Sequence, residues 1–270
     1  DMEIDQVETV RQNHIGMQQN EVREYVSLLK KNESLLRVDS DYMSKQSMIT
    51  ESMRTILVDW LVDVSIHFEV MCETLHFAIS YIDRTLSVLE IEKNKLQLVG
   101  VTCMKIADVF NEKSKEYYRQ ENASEYAYIT ADEYSAEEVI EMEKKILTML
   151  DFNCFSLTIP HFLKLIEVPE KTRILCNYLS DLALLTTKTL KFKPSLLASV
   201  IFLLSCEAIG DLDLGEVQLE TCKLISDNSS FDQFTQCVKT LQEFWSEIQT
   251  SNSSRHDAIN SKYSSQELIN

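Results

Sequence analysis

Glycine and proline are scarce, 4 and 3 among 270 residues, and their scarcity removes the residues on which tight turns and hairpins depend. Leu, Ile, Glu, Lys and Met, by contrast, are plentiful, so the composition reads as all-α. The four glycines stand at 16, 100, 210 and 215, too dispersed to build a GxGxxG or Walker-type loop around a phosphate. Positive charge is also short: 26 Lys and Arg face 43 Asp and Glu, leaving a formal charge of −17. Such a field repels nucleic-acid backbones and anionic lipid surfaces at long range. No apolar run approaches the roughly 18 residues of a membrane span. Neither a nucleic acid nor a membrane is expected as partner.

Motifs for chemistry are missing as well. The seven cysteines include no C-x-x-C pair, and the five histidines show no H-x-x-x-H or mixed His/Cys ligand spacing. The expectation is reduced, buried thiols in a cytosolic or nuclear protein, with no metal and no cofactor. Asp59 and Asp63, or Glu137, Glu138 and Glu141, suit a solvated helix face. General acid–base work needs a pocket that shifts a pKa, and none is signalled here. No catalytic residue is assigned, and the chain reads as something other than an enzyme.

Helical periodicity is what remains. Residues 1–20 are polar and aperiodic and read as a frayed end, followed by a weak amphipathic helix around Tyr25, Leu28 and Leu29. Met53, Ile56, Leu57, Trp60, Leu61, Val64 and Phe68 then follow the i, i+3, i+4, i+7 template. Leu75, Ala78, Ile79, Ile82 and Leu86 repeat it over about 73–88. The stretch 96–110 is apolar on nearly every side, as a helix inside a bundle would be, and Gly100 allows close approach of a neighbour. Residues 111–127 are charged and read as loop. Ser135 and Glu138 have capping-box spacing before another helix that runs to about 150.

From Thr158 the pattern begins again. Pro160 suits a first helical turn, residues 170–190 are amphipathic, and Lys193-Pro194 opens a segment as apolar as 96–110. Two similar helical domains in tandem follow by the logic of internal repeats. The division is an N-terminal helix over 21–40, a first domain over 41–154, a second over 155–250 and a tail over 251–270, the tail loop-like with a short helix. Arg54 and Asp83 sit inside apolar helices, where either exposure or a buried pair would serve. The stripe of Met53, Ile56, Leu57 and Trp60 reads, on spacing alone, as core before surface.

The run M-R-T-I-L-V-D-W-L-V-D-V at 53–64, with Y-I-D-R at 81–84 and K-L-Q-L-V-G at 95–100, resembles the cyclin box of A- and B-type (mitotic) cyclins. Tyr42-Met43, Y-I-T at 128–130, M-E at 142–143, K-P-S-L at 193–196 and S-K-Y-S-S at 261–265 extend the likeness over about 21–265. It implies two tandem five-helix cyclin folds with an N-terminal docking helix. It also implies a buried ion pair between Arg54 and Asp83. A substrate-docking groove would be lined by Met53, Ile56, Leu57, Trp60, Asp63 and Gln97 and would take Arg-x-Leu-type substrate or inhibitor peptides. A face for a cyclin-dependent protein kinase would use Tyr25, Ile106, Val109, Phe110, Glu112, Glu143, Leu147 and Phe152.

One departure stands out: Val109 occupies the place of a lysine usual in that family. Lys105, four residues earlier, has a stem long enough to bring an ammonium into the same region. The function implied is a cell-cycle regulatory subunit that activates a kinase, in the nucleus and cytoplasm. The alternative is a cyclin-like adaptor that activates none. A DNA-binding protein of similar fold is disfavoured by the acidic charge.

Overall fold

A computed structural model describes residues 19–33, 38–112, 123–226, 230–250 and 256–264. The apolar stripes identified above become the buried faces of two helical domains. In the first, α2 (Glu51–His67) begins where the Thr50 side chain accepts from the Met53 amide at 3.3 Å, with Glu51 in its first turn, both favourable at the positive end of a helix. Its Leu57, Val58, Leu61, Val62 and Val64 turn inward. Helix α3 (Cys72–Val88) is buried on most sides. Helix α4 (Leu96–Asn111) runs through the middle, packed against both. Gly100 is the reason α2 can lie so close: a Cβ there would stand 2.7 Å from Leu57 Cδ1.

The segment read as loop over 111–127 lies partly outside the described residues, and its end is helical instead, as α5 (Ala123–Tyr128). Six residues are too few for periodicity to register, and the helix is held by burial of Ala123, Tyr126 and Ala127. Helix α6 (Ala136–Met149) opens with the capping box, Ser135 Oγ accepting from the Glu138 amide and a Glu138 carboxylate oxygen from the Ser135 amide at 3.0 Å.

The second domain repeats the plan. Helices α7 (Ile159–Leu163) and α8 (Glu170–Leu184) pack on the apolar α9 (Pro194–Ile209), which ends at Gly210 with φ 80°. Helices α10 (Leu212–Val217) and α11 (Leu219–Ser226) together take the fourth position and α12 (Phe231–Thr250) the fifth. Two five-helix domains therefore stand in tandem, and no strand occurs among the described residues.

The first and last described helices are built into this pair. Helix α1 (Gln19–Glu33) lies on α11. Its buried Glu33 accepts from the Ser195 amide at 2.7 Å and the Ser195 hydroxyl at 2.9 Å, at the start of α9. Burial pushes that carboxyl above its usual range against the opposing pull of the Ser195 bonds. Residues 251–255 and 265–270 lie outside the described part of the tail, but α13 (Asp257–Ser264) rests on α2 and α8. Its first amides, Ala258 and Ile259, donate to the Asp59 carboxylate at 3.3 and 3.4 Å. Asp59 is thus buried beneath a helix cap instead of lying on a solvated face, whereas Asp63, one turn on, is exposed.

Candidate functional site

Two surfaces of the first domain carry the residues singled out from the sequence. On α2, Met53, Ile56, Trp60 and Asp63 are spaced at i, i+3, i+7 and i+10 and so share one helix face. Ile56 is 57% exposed, Asp63 exposed, and Met53 and Trp60 half-buried. Gln97, also half-buried, stands in the first turn of the neighbouring α4. Leu57 is different. It is buried against Gly100 and supports the strip from beneath without facing outward. An apolar strip ending in a carboxylate matches a peptide with one aliphatic and one basic side chain, since burial and a charge-assisted bond act on separate groups.

The second surface lies where α4 and α6 end side by side. Lys105 Nζ stands 2.6 Å from Glu143 Oε1 across the two helices, with most of both side chains shielded from solvent. One turn further along each helix come Val109, 58% exposed, and Leu147, half-buried. Phe110 is exposed beside Val109, its ring edge-on to Phe77 at 5.5 Å. After α6 the chain takes positive φ at Asp151 and Phe152, 51° and 53°, and the Phe152 amide bonds back to the Leu147 carbonyl at 2.9 Å. That reversal leaves the Phe152 ring 71% exposed.

Ile106 is buried beneath this corner. Glu112 turns inward: it accepts from the Met71 amide and the Thr74 hydroxyl, each at 2.6 Å, at the start of α3. A buried carboxylate occupied at a helix N-terminus has no face to offer a partner, and this corrects its assignment to the docking set. The Tyr25 side chain lies outside the described residues.

Behind both surfaces, Arg54 and Asp83 meet in a two-pronged contact, Nε to Oδ1 and a terminal guanidinium nitrogen to Oδ2, each 2.7 Å. Tyr42 donates its hydroxyl to the same carboxylate at 2.6 Å, and the other guanidinium arm reaches the Leu184 carbonyl of the second domain at 2.8 Å. Burial opposes the arginine's charge, but Asp83 more than offsets it and the guanidinium is held even more firmly protonated. A cavity of about 130 Å³ adjoins this junction; its Glu33, Arg54 and Asp83 are already bonded within the protein, and Lys193 also lines it.

One cluster at the same junction escaped the sequence reading. Cys72 and His76, on α3, meet Asp181 of α8 and Lys262 and Tyr263 of α13. Its local signal is the C-x-x-x-H spacing at 72–76, which corrects the reading above that no mixed Cys/His spacing occurs; the third group lies more than a hundred positions away.

Comparison with known proteins adds the following. Residues 24–154 match the model of the cyclin N-terminal domain, and residues 147–270 that of the cyclin C-terminal domain. A G2/mitotic-specific cyclin-A of Patella vulgata is 37% identical over 242 residues, which cover 88% of this chain and 54% of that protein. Cyclin-A2 of Gallus gallus is 39% identical over 199 residues, 70% of this chain and 49% of the relative. Cyclin-B2-1 of Oryza sativa subsp. japonica is 33% identical over 229 residues, 83% and 52% respectively. The chain thus spans about half the length of the curated relatives it matches. Among solved structures, a viral cyclin from herpesvirus saimiri shares the fold with a TM-score of 0.69 at 23% identity, over 82% of this chain and 96% of that one.

Proposed function

The chain belongs to the cyclin family, and on that premise we propose that it is the regulatory subunit of a cyclin-dependent serine/threonine protein kinase acting in cell-cycle progression. It has no chemistry of its own in this reading. It binds the kinase, favours the conformation in which the kinase's catalytic Lys–Glu pair and activation loop are assembled, and recruits substrates. The observation that carries the proposal is the corner of Val109, Phe110, Leu147 and Phe152 around the shielded Lys105–Glu143 pair. Aromatic side chains exposed to this degree beside a desolvated ion pair have the make-up of a protein–protein interface core.

Recruitment falls to the strip of Met53, Ile56, Trp60 and Asp63 with Gln97, which suits Arg-x-Leu-type peptides. A structural neighbour at a TM-score of 0.52, a component of the CAK complex of Chaetomium thermophilum bound to ATP-γ-S, is consistent with the fold and carries no more than that at 14% identity.

A second reading is a cyclin-like adaptor that docks partners and activates no kinase. Val109 favours it, because a valine cannot donate the hydrogen bonds of the lysine that the family resemblance places there. The experiment is recovery of the chain with its bound kinase from its own cells, followed by affinity measurements with Phe110→Ala and Phe152→Ala. Loss of about 2 kcal/mol or more in either variant supports the corner. Unchanged affinity in both refutes it.

A further inference from the structure

A second cluster, of Cys72, His76 and Asp181, lies between the two domains. Cys72 and His76 are four residues apart on α3, so both side chains leave the same face of the helix. Asp181 reaches them from α8. His76 Nε2 lies 3.1 Å and Cys72 Sγ 3.7 Å from the same oxygen, Asp181 Oδ1. All three ligand atoms fall within 4.8 Å of one another. In a tetrahedral zinc site, bonds of about 2.0–2.3 Å set neighbouring N, O and S atoms roughly 3.3–3.5 Å apart. The spacing to Oδ1 matches within a few tenths of an ångström.

The second oxygen of Asp181 is already held. Oδ2 accepts from Lys262 Nζ and from the Tyr263 hydroxyl, each at 2.8 Å, so the carboxylate is fixed with Oδ1 turned toward the cysteine and the histidine. We propose that Cys72, His76 and Asp181 form a site for one zinc ion, completed by water, that fastens the first domain to the second.

Mixed sulfur, nitrogen and oxygen donors favour zinc over magnesium or calcium, which take oxygen. Binding releases the Cys72 thiol proton to solvent, leaves the histidine neutral with Nε2 on the metal, and oxidises nothing. Because the thiol must lose its proton to bind, affinity rises with pH.

The neighbouring charges set how tightly the ion is held. Zinc's two charges are balanced by the thiolate and the Asp181 carboxylate, and Lys262 leaves one positive charge in excess. Glu73, next to Cys72, is drawn to Lys164 and does not compensate. The formal charge of −17 offsets the repulsion only at long range. The site is therefore exchangeable, a tie between domains that responds to zinc supply, and weaker than a closed four-ligand structural site.

The test uses the whole chain, reduced and freed of metal, titrated with Co²⁺ and back-titrated with Zn²⁺. One equivalent of cobalt should give a near-ultraviolet thiolate-to-cobalt band that zinc displaces. Cys72→Ser should abolish the band, and Cys72→Ser and His76→Gln should each weaken zinc binding about tenfold or more. A wild-type protein that gives no saturable band overturns the proposal whether or not the variants fold. So does a band that survives Cys72→Ser, or zinc affinity that both ligand substitutions leave unchanged.

Discussion

Replacing Arg54 with methionine keeps most of the side-chain volume but leaves the Asp83 carboxylate with one hydrogen bond, from Tyr42, where it had three. Arg54 is 1% exposed and Asp83 2%, so the pair is shielded from bulk solvent. Breaking a buried pair from one side costs about 3–5 kcal/mol, most of it the desolvated charge left behind. Folded proteins hold only about 5–15 kcal/mol in all, so the variant should sit near its unfolding threshold. The effect should also cross the domain boundary, because Arg54 holds the Leu184 carbonyl of α8.

Urea unfolding followed by far-ultraviolet circular dichroism and by tryptophan fluorescence reads both consequences, since Trp60 lies in the first domain and Trp245 in the second. The expected result is a midpoint lowered by the equivalent of about 3–5 kcal/mol, with the two probes no longer coincident. Adding Asp83→Leu removes the stranded charge, so the double variant should cost at least about 2 kcal/mol less than the sum of the singles. A loss below about 1 kcal/mol in Arg54→Met, or strict additivity in the double variant, would refute the buried-pair reasoning.

Three further outcomes follow from the same geometry. Trp60→Ala should weaken phosphorylation of substrates bearing Arg-x-Leu by the equivalent of about 2 kcal/mol and spare short peptides without it; equal loss on both would make Trp60 a core residue. Glu33→Gln keeps an acceptor for Ser195 but removes a carboxyl whose pKa burial raises above 4.5 in the folded chain. A raised acid contributes stability below its unfolded value and loses it as pH rises through the folded one. The glutamine variant should therefore gain on the wild type as pH rises above 4.5, and a constant difference in chemical denaturation over that rise would contradict this. Lys105→Ala should weaken kinase binding, and Val109→Lys should restore it by placing a new ammonium one turn further along, beside Glu143; if neither change moves affinity, that corner is not the grip.

Much of the fold was legible because the helices that matter most are long. The stripes in α2 and α3, the all-round apolar α4 and α9, and the Ser135–Glu138 capping box are local patterns read directly from spacing. Periodicity says which face of a helix is covered. It does not say what covers it. Asp59 therefore read as a solvated carboxylate, since α13, which it caps, lies about 200 positions later in the chain. Glu112 failed in the same way, because its partners belong to the start of another helix. Arg54 and Asp83 were left open by spacing alone and paired only through family resemblance. Lys105 was anticipated from the length of its stem, and the 2.6 Å contact with Glu143 gives that reach a geometry.

Whether this chain switches on a kinase is read by titrating it into its purified, cyclin-free kinase while following phosphate transfer to a protein substrate. Activity should rise from near zero and saturate at one chain per kinase, with Phe152→Ala shifting the curve to higher concentration. Tight, saturable binding without any rise in transfer would make the chain an adaptor and contradict the proposed activation.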